Sequence, residues 1–117
     1  MEYPLPEIID RITILRLKIE HSDNPVFKEQ LNAFHNALIE FKLRGINIKL
    51  EWINKLYKIN KSQWKIESLF KEAKEKNYLE EMGKLYIKIC LSNKERTKVK
   101  NEISEITGQG FKDIKVN

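Results

Sequence analysis

Breakers are what this chain has least of: four glycines and three prolines among 117 residues. So little punctuation excludes a fold of many short strands and tight turns, and leaves few, long elements. Cysteine is scarcer still. Cys90 stands alone, so no intramolecular disulfide can form, which fits a reducing, cytoplasmic compartment. Beside Ile89 it reads as a small buried hydrophobe. Only two histidines occur, His21 and His35, and no acid is placed to join them at the spacing helical bundles use for metals. No metal and no cofactor is therefore expected. No stretch approaches the run of about eighteen apolar residues that a membrane helix needs. Residues 1–6 show no basic segment leading into an apolar one, so neither membrane insertion nor export is expected. Arginine is rationed too, at four of the 22 basic residues.

What the chain does have is lysine, glutamate and branched apolar residues: 41% apolar, 33% charged, a formal charge of +5 and a pI near 9.3. A basic balance attracts nucleic acid, anionic surfaces and acidic ligands. Here glutamate interrupts nearly every lysine run and no basic–aromatic motif accompanies the charge. Solvated helix faces explain it better than a nucleic-acid partner. A chain of this length is one domain, residues 1–117, able to bury about 60–70% of its unfolded surface.

Apolar spacing predicts four helices. Pro6 suits a first turn, and Ile8, Ile12, Leu15 and Ile19 stripe a helix over about 7–20. Ile9, Ile14 and Leu17 widen that stripe, which marks a central helix wrapped by others. Asn24-Pro25 is an N-cap and first-turn pair; Phe27, Leu31, Phe34, Leu38 and Phe41 then run as an unbroken seam to Leu43-Arg44-Gly45. A third helix is predicted over 47–74 on Trp52, Leu56, Ile59, Gln63, Ile66 and Phe70, with a turn near Asn77. A fourth follows over 79–106, closed by Gly108. Short connections imply antiparallel neighbours, so the expected fold is an all-α, antiparallel four-helix bundle with a short extended C-terminal tail over 111–117.

Polar residues interrupt these seams in register. In the fourth helix Ser92 and Arg96 fall inside the stripe Met82, Leu85, Ile89, Val99, Ile103, with Asn93 and Lys100 one turn either side of Arg96. In the third, Asn60, Trp64 and Glu67 share a face. Asp10 is the odd acid in an apolar first helix. Hairpin geometry sets Trp64 near Asn93, so the candidate ligand-binding cluster is Asp10, Asn60, Trp64, Glu67, Asn93, Arg96 and Lys100. Two uses compete. In one, Glu67 and Arg96 form a half-buried ion pair that fixes the register. In the other, Arg96 is a fork and Lys100 a point charge for a small anion, with Trp64 as a wall.

At these residues the chain resembles an uncharacterised bacterial helical family. The opening Glu7-Ile8-Ile9-Asp10-Arg11-Ile12-Thr13-Ile14-Leu15, with Lys18, is similar to that family's first helix. Asn60 with Trp64-Lys65-Ile66-Glu67 is similar to its centre, and Asn93, Arg96, Lys100, Ile103 and Thr107-Gly108 to its last helix. Asp113-Ile114-Lys115 falls where the family carries an acidic–lysine segment. Ser68 and Leu69 stand where the family carries a second acid, which weakens a two-carboxylate mechanism, and Cys90 replaces an aromatic. The family brings no established activity. Related proteins are encoded near cell-surface glycan genes, so the resemblance implies an accessory link to cell-surface glycan synthesis.

Three functions fit. The favoured one is a non-enzymatic accessory or interaction module that works through a protein partner or as a homodimer, with the cluster binding a small anion. The alternative is a small helical enzyme acting on an anionic metabolite, with a chorismate-mutase-like architecture. The chain lacks the arginines across three helices which that chemistry uses. Nucleic-acid binding rests on charge alone and is disfavoured.

Overall fold

The polar break at 21–24 does what its residues dictate. In the computed structural model, which describes residues 3–110, the Asn24 side chain accepts from the Val26 amide at 3.1 Å and Pro25 opens the next helix. Four helices result: α1 Leu5–His21, α2 Pro25–Leu43, α3 Leu50–Glu75 and α4 Leu79–Thr107. Asn77 takes a left-handed φ of 62° in the α3–α4 turn. Gly108, at φ 68°, ends α4 with its amide on the Ser104 carbonyl at 2.9 Å. Among the described residues there is no strand, and no helix is long and apolar enough to cross a membrane. The expected extended tail lies outside the described residues.

The chain is an all-α four-helix bundle, and α1 is its axle. α1 packs against α2, α3 and α4, and α3 packs against α4, whereas the backbone of α2 lies against α1 alone. Its all-round apolarity already points to this, since Leu5, Ile8, Ile9, Ile12 and Leu15 are all buried although they do not share one stripe. They meet Phe34, Leu38 and Phe41 of α2, Trp52, Ile53 and Leu56 of α3, and Val99 and Ile103 of α4 in one core. Burying such large side chains contributes about 1.5–3 kcal/mol each before chain entropy is charged.

Two expectations need correction. α3 begins at Leu50, not near Asn47. Ile46 and Ile48 are half-buried while Asn47 and Lys49 are exposed, an alternation that an extended chain produces and a helix does not. Both isoleucines pack on the core. Cys90, expected to be buried, is exposed. It sits one residue, about 100° of helix rotation, from half-buried Ile89, and that step carries it out to solvent.

Candidate functional site

Above the core the three-helix side of the bundle turns polar. Asn60 and Gln63 of α3, Ser92 of α4, and Asp10 and Thr13 of α1 are all buried, in a chain whose core cluster stops at Leu56 and Val99. Helical spacing puts them there: Asn60 and Gln63 are one and two turns beyond Leu56, and Ser92 is two turns before Val99. A charge at this depth must be paired and hydrogen-bonded.

Asp10 is the centre, at 1% exposure. Its Oδ1 accepts from Asn60 Nδ2 at 2.9 Å; its Oδ2 accepts from Arg96 Nε at 3.1 Å and lies 3.0 Å from Arg96 Nη2. The second Asn60 amide proton goes to Thr13 Oγ1 at 2.8 Å, and that hydroxyl donates to the Asp10 carbonyl at 2.7 Å. Lys100 Nζ contacts Glu7 Oε1 closely and stands 4.0 Å from Asp10 Oδ2. Two carboxylates therefore face two cations and the formal charge closes. One turn along, Ser92 Oγ donates to Gln63 Oε1 at 3.1 Å, while Gln63 Nε2 donates to Glu67 Oε1 at 3.0 Å. No buried side-chain nitrogen or oxygen among the described residues is left without a partner.

Of the seven expected residues, Asp10, Asn60, Arg96 and Lys100 meet. Glu67 does not join them. It is exposed and held by Gln63, so the expected Glu67–Arg96 pair is replaced by Asp10–Arg96. The reason is register. Gln63 opposite Ser92 sets Arg96 level with Asn60, and Glu67 is two turns further along α3, about 10 Å away. Trp64 is half-buried and stacks on His21, with centroids 5.1 Å apart and planes at 22°. Asn93 is exposed on α4, where it lines a shallow groove with Cys90 and Lys94 and not the cavities beside the cluster.

The pattern of seams did not single out Glu7, Arg11, Thr13 or Lys18. The signal was in α1 itself: Glu7–Asp10 and Asp10–Thr13 are three apart, and Arg11 and Lys18 are seven apart, so each set shares a face. Glu7, Arg11 and Lys18, though not Thr13, line cavities beside the network, Lys18 bordering two of them. One, of about 430 Å³, lies between α1, α2 and α4 and is lined by Glu7, Asp10, Arg11, Lys18, Phe34 and Arg96, among others. The other, of about 230 Å³, is lined by Asn60, Gln63, Trp64 and Glu67. Ile14, Lys18 and Arg96 form the wall common to both.

Arg11 lies 4.6 Å over the Tyr3 ring and Lys18 5.4 Å from the Phe27 centroid. Among the described residues neither has a carboxylate in ion-pair range. The cleft thus holds cations in excess of its acids. His35 of α2 stands apart; partial burial, then Arg16 and Lys42, lower its pKa and keep it neutral. Among the described residues no group of histidine, cysteine and acids could hold a metal. No known protein family, curated protein or solved structure matches the chain.

Proposed function

We propose that the protein is a small helical accessory module that binds a compact anion in the cleft between α1, α2 and α4. The observation that carries this is the double role of Arg96. Its Nε–Nη2 edge is fixed on buried Asp10, while the residue lines both cavities beside Lys18. A fork held from behind loses little entropy when it grips a phosphate or carboxylate in front. Lys18 and Arg11, which have no acid in ion-pair range among the described residues, supply the charge.

Binding without catalysis is the reading the carboxylates favour. Both Asp10 oxygens are engaged, and Glu7 is held by Lys100, so each serves as a counter-ion rather than as a poised base. An accessory module of this kind would act through a protein partner or a second copy. The cytoplasmic setting and the link to cell-surface glycan synthesis belong to the same proposal and rest on the sequence and the resemblance.

The test is thermal unfolding with phosphate, sulfate and small carboxylates at fixed ionic strength. A bound anion should raise the melting temperature with its concentration. Lys18→Gln, which removes a cation from the cleft and not from the Asp10 network, should keep the ligand-free stability and lose most of the shift. An equal shift in Lys18→Gln, or none in the wild type, would sink the cleft as the site.

A further inference from the structure

A third cavity, of about 720 Å³, opens where the end of α1 meets the middle of α3. That volume lies in the range of small-molecule sites, roughly 300–1,000 Å³. Its floor is apolar and aromatic: buried Leu17, the half-buried Trp64 indole stacked on exposed His21, and Leu69, which is 53% exposed. A tryptophan that keeps an open edge beside an exposed leucine is unusual in a helix whose other tryptophan, Trp52, is 1% exposed.

The charges at the rim decide what would bind. Two acids line it: Glu72 is neutralised by Lys76 at 3.0 Å, whereas Glu20 accepts from the Tyr57 hydroxyl at 2.5 Å and keeps its charge, so one acid faces the lysines of the rim. Two lysines also line it, Lys61 and Lys65, and among the described residues neither has a carboxylate within ion-pair range. They are four apart on α3, so their Cβ atoms lie about 5–6 Å from each other and both ammonium groups can reach one anion. The Ser68 hydroxyl donates to the Trp64 carbonyl at 3.0 Å.

We infer that this cavity binds a planar aromatic molecule bearing one anionic group, its ring extending the Trp64–His21 stack and its anion held by Lys61 and Lys65. Aromatic stacking on a tryptophan and a two-lysine clamp are separate contributions, and a ligand needs both to be held well. Trp64 and Leu17 also line the smaller cavity beside Lys18, but Lys61 and Lys65 border neither that cavity nor the α1–α2–α4 cleft, so the two lysines set this site apart.

The chain carries its own reporter. With Trp52 sealed in the core, added ligand can reach only Trp64, which lines this cavity and the smaller one beside Lys18, so the lysine variants decide between the two. Adenosine monophosphate and 4-hydroxybenzoate serve as anionic aromatic probes, with adenosine and inorganic phosphate as the neutral and non-aromatic controls. Saturable quenching of tryptophan emission is expected from at least one anionic probe, and not from either control. The double variant Lys61→Gln/Lys65→Gln should weaken that binding by about tenfold or more, the equivalent of one lost charge-assisted contact. Lys18→Gln should leave it unchanged. No saturable quenching, equal quenching by adenosine, or full binding by the lysine double variant would each overturn the inference. Loss in Lys18→Gln alone would also overturn it, by assigning the signal to the cleft.

Discussion

Asp10 brings a full charge into the interior, and its neighbours are what make that tolerable. Desolvating a carboxylate costs several kcal/mol, offset here by Asn60 on one oxygen and Arg96 on the other. Removing one partner leaves the other uncompensated. Asp10→Asn should therefore destabilise by about 2–3 kcal/mol, below the range for fully buried pairs because the Arg96 side chain is 27% exposed. Arg96→Lys keeps the charge and loses the paired Nε and Nη2 contacts, for about 1–2 kcal/mol. In denaturant titration the double variant should fall short of the sum by about 1 kcal/mol. Glu67→Gln should add independently to Arg96→Lys, since Glu67 is not its partner. Arg16→Lys is the fitting surface reference, expected within about 0.5 kcal/mol. Arg44 is less suitable, because its guanidinium covers the Phe41 ring at 4.3 Å.

At the scale of the element, α4 carries one glycine inside it, Gly83, and is closed by another, Gly108, and the backbone separates their roles. Gly108 ends the helix at φ 68° with open space around a built Cβ, so a side chain there meets no neighbour and is opposed by the backbone alone. Gly108→Ala should cost about 1 kcal/mol. Gly83 lies inside the helix with the same open surroundings and no left-handed φ. Gly83→Ala should stabilise by about 0.5–1 kcal/mol, because alanine restricts the unfolded chain and suits a helix interior. Thermal unfolding of the two variants against the parent reads both signs, and a shift in the same direction for both would contradict this account of where α4 ends.

For the molecule as a whole, α1 ties α2, whose backbone lies against it alone, to the α3–α4 hairpin. Leu38 of α2 is 4% exposed and Ile103 of α4 is 0% exposed, and both belong to the one core that α1 organises. Each truncation to alanine should cost about 2–4 kcal/mol, with the spread set by how far the surroundings collapse into the space. A loss under about 0.5 kcal/mol for either, the range of a surface site, would mean that its helix does not rest on α1 as described.

The number of helices, their order and nearly all their ends were legible in the sequence. They follow from local causes: apolar spacing, the Asn24 cap with Pro25, and a terminal glycine at 108. The exception is instructive, because Ile46 and Ile48 carry an alternation that a search for helical spacing passes over. Part of the site was legible too. Asp10, Asn60, Arg96 and Lys100 announce themselves as polar residues on faces that should pack, and they do meet. Which acid faces Arg96 was not legible. Asp10 and Glu67 are equally acidic in sequence, and only the register set between Gln63 and Ser92, together with the placing of α1 over that register, brings one within 3.1 Å and leaves the other two turns away. The cavities around Lys18 and Trp64 belong to the same class of fact. A sequence fixes which side chains share a helix face, but a cleft is the space left between faces of different helices, and that is decided only when the helices pack.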